Sequence, residues 1–334
     1  MPAPPTPPES RDFSERQAHN QRVSAGIVFC FLVFFLLIGF CVDYVYLDAF
    51  TPLGLAIPLA TVVSLALATA MTLASYYNGG EWILRALGAE PLNRELPEHR
   101  ELHNVVTEMA LASGCPMPKI YVIFDPSPNA FATGRNEFCA SVCVTTGLLA
   151  LLNREETQGV IAHEIAHIRN QDILLMTLVS VLLGGIVLLS DWAQRSFYSS
   201  RSGRRLRTQS ALLIIPGLLL ILFAPLISRL LAMAVSRQRE YLADASGAEF
   251  TRNSLGLARA LEKISDAAMP FHRATRATAH LFLINPLRRR LDQREGFMAD
   301  LLSTHPPVKR RILLLYQMAG LHSGPSTEVR EQSA

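Results

Sequence analysis

The sequence predicts a mainly helical α+β membrane protein, in which four apolar helices, transmembrane or partly re-entrant, carry a polar domain containing a small β-sheet. Three observations predict it. Half of the 334 residues are hydrophobic and 18% are charged, a balance too apolar for an ordinary soluble protein of this size. Four runs, residues 23–42, 49–78, 173–190 and 208–228, hold no charged side chain. Between the second and third runs, two short segments rich in β-branched residues, 119–124 and 140–146, have the composition of strands.

Residues 1–22 are Pro-rich and then polar, so they bury too little apolar surface to offset ordering and are expected to form a flexible tail. Residues 23–78 are expected to hold the first two transmembrane helices, because twenty residues at helical rise cover about 30 Å, the thickness of a bilayer core. Tyr76 and Tyr77 close the second run with Trp82 just beyond, as aromatic anchors at a headgroup level would. Arg11, Arg16 and Arg22 precede the first run, whereas the link from Asp43 to Asp48 holds two acids and no Lys or Arg. The rule on cytoplasmic positive charge then puts the N-terminus inside.

Residues 79–172 are expected to form the first part of a catalytic domain. Over 97–113, Leu102, Val105, Val106, Met109 and Ala110 share one helical face, with Gly114 and Pro116 as a stop. Residues 153–171 read as a second helix with Glu155 and Glu156 in its first turn. Residues 173–228 hold the third and fourth runs, separated by a loop with Arg195, Arg201, Arg204, Arg205 and Arg207. If both runs span, that loop lies outside against the charge rule; a re-entrant hairpin keeps it inside. Residues 229–320 read as a helical second part of the domain, and 321–334 as a loose tail.

Several classes are excluded. A net charge of +3 with clustered basic residues leaves no nucleic-acid footprint. Five cysteines without paired spacing argue against a disulfide framework and for a reducing compartment. The first apolar run is too long for a cleavable signal.

The chemistry is carried by HEIAH, residues 163–167. His163 and His167 project from one face of the helix, close enough to bind one ion, and Glu164 can reach a water on it. Zinc lowers the pKa of such a water toward about 7, and the glutamate takes its proton as a carbonyl is attacked. His99 and His103 are also four apart but lack the adjacent glutamate, and read as structural. A zinc hydrolase needs a third protein ligand. Glu240 and Asp244 share a helical face in SRQREYLADASGA, residues 236–248, so one can ligate while the other orients. Glu240 as ligand, with Asp244 accepting the free ring N–H of a zinc histidine, would complete both shells.

HEIAH, SRQREYLADASGA, PNAFATG at 128–134 and STHPPVKRRI at 303–312 together resemble the HtpX-type membrane zinc metalloproteases, relatives of the CAAX prenyl proteases. The resemblance implies a zincin-like catalytic domain of the gluzincin kind, one Zn²⁺ per chain on His163, His167 and Glu240, with Asp244 behind them. It implies an endopeptidase facing the cytoplasm from a bacterial inner membrane, acting on damaged, unfolded or misassembled membrane proteins in stress-related quality control. It further implies an edge strand, Asn129, Ala130, Phe131, Ala132 and Thr133, that pairs with substrate by strand addition, and positions near the cleft for His305 and Arg311, in oxyanion or ligand-orienting roles.

Because His163 and His167 precede the third run and Glu240 follows the fourth, a shared site requires the two runs together to cross an even number of times. With only 168–172 separating motif and run, the ion would lie within roughly 10–15 Å of the bilayer surface. Two other readings stay open: a prenyl-peptide protease, against which stands the small number of runs, and a zinc-stabilised scaffold without activity, against which stands Glu164.

Overall fold

The computed structural model describes residues 13–46, 57–199, 237–267, 278–284 and 306–321, with positions 269, 271 and 273–275 between them. The first two helices form a hairpin: α1, Phe13–Tyr46, and α2, Leu59–Leu87. Gly39 lets them cross closely, since a Cβ there would stand 2.5 Å from the Thr61 Cα. Asp43, fully buried near the end of α1, accepts the Ala60 and Thr61 backbone N–H groups at 2.9 and 2.7 Å. Its carboxylate thereby caps the start of α2, where no side chain of α2 does so. Both helices are long and apolar enough to cross a membrane, and Phe29, Phe40, Val62, Leu67 and Leu73 point outward from them. A surface of that kind is stable against lipid.

The chain then enters the polar domain through β1, Glu90–Pro91, and α3, Pro97–Ser113. The apolar face expected on α3 is the buried one, and Gly114 ends the helix at a φ of 73°. Next come β2, Lys119–Ile123, β3, Ala130–Gly134, a short 3-10 turn, β4, Ala140–Thr145, and α4, Thr146–Leu151. The sheet order is β1-β2-β4-β3, with β2 and β4 parallel and the other two pairings antiparallel. β3 is therefore an edge strand.

α5, Arg154–Arg169, runs through the middle of the domain. Its entry is fixed by a capping box, in which Asn153 accepts from the Glu156 N–H and Glu156 accepts from the Asn153 N–H. Every residue from Val160 to Ile168 is buried, with α3 and the sheet on one side and α7, Arg237–Thr251, α8, Ser254–Ala267, and α9, Val308–Met318, on the others. A sharp turn with Gln171 at a φ of 58° leads into α6, Asp172–Ser199. α6 packs on α1 and α2 through Leu175, Val179, Leu182 and Ile186.

One expectation is met in part and one changes. Of the four apolar helices, two have the length and composition of a crossing among the described residues; the third run, 173–190, lies within α6, and the fourth lies outside the described residues, as does the Arg-rich loop from residue 200 onward. The N-terminal tail expected to stay flexible to residue 22 is helical from Phe13, because its polar side chains find partners. Gln17 donates to the Arg169 carbonyl at 3.0 Å, Asn20 to the Asn170 carbonyl at 2.9 Å, and Gln21 to Gln171 Oε1 at 2.9 Å. Gln17 and Asn20 satisfy carbonyls at the C-terminal end of α5 that the helix itself leaves open, and Gln21 ties down the side chain of the turn that follows.

Candidate metal centre

Two helices meet at one point inside the domain. α5 supplies His163 and His167, and the first turn of α7 supplies Glu240. Their ligand atoms all lie within 4.8 Å of one another, and all three side chains are buried. The two imidazole Nε2 atoms face each other at 3.2 Å, with Glu240 oxygens 3.8 Å from that of His163 and 3.7 Å from that of His167.

The far side of each imidazole decides what this arrangement can hold. His163 Nδ1 lies 3.0 Å from Asp244 Oδ1, and His167 Nδ1 lies 3.0 Å from Asp172 Oδ2. A carboxylate behind each ring favours the Nδ1–H tautomer and leaves an Nε2 lone pair directed inward. Two such nitrogens and a carboxylate converging in one buried place form a donor set for a cation, beside the Arg311 guanidinium, whose Nη2 lies 3.4 Å from His163 Nε2. The donor set of two imidazoles and one carboxylate therefore fits a single divalent ion, with room in a tetrahedral shell for one further ligand.

The surrounding charges are balanced within the core. Arg311 on α9 is fully buried; its Nε and Nη2 donate to Asp244 at 2.8 and 2.6 Å, and its Nη1 lies 3.1 Å from Glu240. Its other partners are the Leu283 carbonyl at 3.3 Å and the His163 ring, 3.4 Å from Nη2. Burial alone would lower its pKa, yet the Asp244 and Glu240 carboxylates hold it well above the usual guanidinium range. Burial would raise Asp244, but Arg311 and His163 keep it below the usual carboxylate value. His163 is pushed down, by burial first and Arg311 next, although Asp244 opposes the shift. For His167 the desolvation that would lower it is outweighed by Asp172 and Glu240, and its pKa rises to about 9.

Glu164 projects from α5 toward β3, where the Ala132 N–H donates to it. Burial, reinforced by Glu240, raises its carboxyl to about 7, against the opposing pull of His167 and Arg311. A carboxylate poised near neutrality suits proton transfer.

The expected residues sort clearly. His163, His167, Glu164, Glu240, Asp244 and Arg311 converge. The edge strand lies beside them, and residues 130–134 are buried throughout. Ala130 C=O accepts from the Leu283 N–H at 3.0 Å, Gly134 N–H donates to Thr177 Oγ1 at 3.2 Å, and the Asn129 side chain donates to the Ile284 carbonyl at 2.8 Å. His305 lies outside the described residues, as do Arg288 to Arg290. His99, the control, is buried and bonded through Nδ1 to Asn93. One participant escaped the sequence reading: Asp172, behind His167. Its signal is an acid five residues after the second histidine, at the start of the next helix.

Comparison with known proteins gives the family of the chain. Residues 97–319 match the family described as Peptidase family M48. A protease HtpX homolog from Caldanaerobacter subterraneus subsp. tengcongensis is 43% identical over 307 residues, covering 90% of this chain and 96% of the relative. Others of that name, from Thermoanaerobacter pseudethanolicus and Streptococcus gordonii, are 44% and 38% identical, covering 89% and 91% of this chain and 95% and 99% of theirs. Among solved structures, Ste24p of S. mikatae aligns at a TM-score of 0.48 and 18% identity, covering 90% of this chain and 67% of that one.

Proposed function

The chain belongs to peptidase family M48 and is a membrane metallopeptidase, and from that premise we propose that it is a zinc endopeptidase degrading damaged or misassembled membrane proteins. The observation that carries the reading is the pair of imidazoles whose Nδ1 atoms are each held by a carboxylate while their Nε2 atoms converge with Glu240. We assign one zinc per chain to His163, His167 and Glu240. Zinc supplies acidification of a water and polarisation of the scissile carbonyl.

The remaining steps belong to the protein. Glu164 takes the proton from the attacking water and delivers it to the leaving amine, which its near-neutral carboxyl suits in both directions. Asp244 and Asp172 hold the ligand rings in orientation. Arg311 is assigned to holding Asp244 and Glu240, its strongest partners, with further contacts to the Leu283 carbonyl and the His163 ring. Substrate adds as a strand along Asn129 to Thr133, exchanging its own amide for that of Leu283 on the Ala130 carbonyl.

Orientation follows from the same packing. Gln17, Asn20 and Gln21, at the N-terminal end of α1, touch the turn that follows HEIAH. The site thus lies at the end of α1 that carries Arg16 and follows Arg11, the side that positive charge marks as cytoplasmic.

The test is cleavage of an unfolded protein by detergent-purified chain loaded with zinc, wild type against Glu164→Gln at matched metal content. Loss of a general base predicts a fall of about 10²–10⁴-fold in rate with zinc retained. Equal cleavage by both proteins would remove Glu164 from the mechanism, and zinc held without cleavage by either would remove the protease reading of this site.

A further inference from the structure

The metal centre is linked to the first membrane helix by one side chain. Asn20 on α1 is buried, 5% exposed, and its amide bridges three elements. Its Nδ2 donates to Asp172 Oδ1 at 2.7 Å and to the Asn170 carbonyl at 2.9 Å, while its Oδ1 accepts from Arg239 Nη1 at 3.2 Å. Asp172 uses its other oxygen, Oδ2, on His167 Nδ1. Arg239 stands next to Glu240 in α7, and its Nε is 4.0 Å from Asp172 Oδ1. One asparagine therefore touches the carboxylate behind one histidine and the arginine adjoining the glutamate, while residing in neither ligand helix.

Asp172 is fully buried. A buried carboxylate has few orientations in which both oxygens are satisfied, and each loses a hydrogen bond if the group rotates. Asn20 holds Oδ1, and this fixes the plane in which Oδ2 meets His167. Asn170 reinforces the arrangement: because Nδ2 also binds its carbonyl at the end of α5, the amide cannot turn over without losing both partners. Gln17, Gln21 and Ser24 share the same stripe of α1, but Gln17 and Gln21 bond only to the turn and the Ser24 hydroxyl bonds to the Asn20 carbonyl.

We propose that Asn20 is a positioning residue of the metal centre, contributed by the membrane helix, which orients Asp172 on His167 and couples the seating of α1 to metal affinity. The inference rests on the reading of His167 as a ligand. It makes the membrane hairpin part of the site rather than an anchor alone, so a catalytic domain without α1 would bind its metal weakly.

The experiment uses the full chain in detergent and measures zinc affinity by competition with a chromophoric chelator, together with the visible spectrum of the cobalt-substituted protein. His167→Ala is the reference; if it binds zinc as the wild type does, the ligand assignment fails. With that reference passed, Asn20→Leu is expected to weaken zinc about tenfold, the lower end of the range for residues behind metal ligands, and to shift the cobalt bands. Ser24→Ala, one turn along the same buried stripe, is expected to stay within about twofold. Asn20→Asp keeps the side-chain size and the acceptor for Arg239 but sets an oxygen against Asp172; it carries the same expectation, so a folding failure of the leucine variant leaves the test standing. In an Asp172→Asn background, Asn20→Leu is expected to cause no further loss. Wild-type affinity and spectrum in both Asn20 variants, full additivity with Asp172→Asn, or equal weakening by Ser24→Ala would overturn the proposal while leaving the metal site intact.

Discussion

Single residues in this site act by neutralising one another away from water. Arg311 faces Asp244 and Glu240 with no solvent exposure, and removing one member of a buried pair leaves its partner uncompensated. Arg311→Leu is expected to destabilise the fold by about 3–5 kcal/mol, read as a lowered denaturation midpoint of the metal-free protein; a midpoint equal to wild type would show that Asp244 and Glu240 do not depend on it. At the other end of α5, Asn153→Ala removes half of the capping box and should cost about 1 kcal/mol, seen in thermal unfolding with zinc affinity unchanged. The two substitutions separate stability from ligation. The roles of His163, Glu164 and His167 are legible in the sequence because one helical turn sets their relation. Asp172 is not, because its relation to His167 depends on the αL residue Gln171 turning the chain between two helices.

Elements set the separation between ligands. Gly247 on α7 faces the backbone of His163, and a Cβ there would lie 3.1 Å from its nitrogen and 3.3 Å from its Cα. Alanine is ordinarily about 1 kcal/mol better than glycine inside a helix. Here Gly247→Ala is expected to push α7 from α5 by a few tenths of an ångström and to weaken zinc severalfold, because Glu240 moves with α7; tighter or unchanged zinc binding in the competition assay would show that the helices have slack. Gly159 is closer still, its added Cβ 2.6 Å from the Leu257 nitrogen on α8. Gly159→Ala should therefore cost about 1–3 kcal/mol as overpacking, measured as a lower denaturation midpoint. α3, β2 and β4 were readable from periodicity and β-branched composition. α5 conceals its surroundings, since a helix buried on every side has no polar face to mark its orientation.

For the molecule as a whole, the membrane hairpin and the site of His163, His167 and Glu240 bring distant parts of the chain into one structure. Leu67 is 64% exposed on α2, as a lipid-facing residue would be. Leu67→Arg is expected to oppose insertion by about 2.5–3.5 kcal/mol and to shift protein from the membrane fraction to aggregates; unchanged fractionation would show that this face does not meet lipid. A metal held by His163, His167 and Glu240 would join α5 to α7, which are separated along the chain by α6 and residues 200–236. A ligand at a thousandfold its Kd adds about 4 kcal/mol, so chelation should lower the unfolding temperature of the wild type and leave that of His167→Ala unchanged.

The sequence alone determined the family of the enzyme, the pairing of His163 with His167 and the presence of apolar spans, because each is written in local pattern: four residues on a helix, or an uncharged stretch as long as a bilayer is thick. Tertiary structure decided the rest. Asp172 behind His167, Arg311 beneath two carboxylates and Asn20 reaching from α1 into the site come from positions 67 to 219 residues apart, or across a turn. Such partners are chosen by the packing of whole helices, and no periodicity along the chain encodes which helix lies against which.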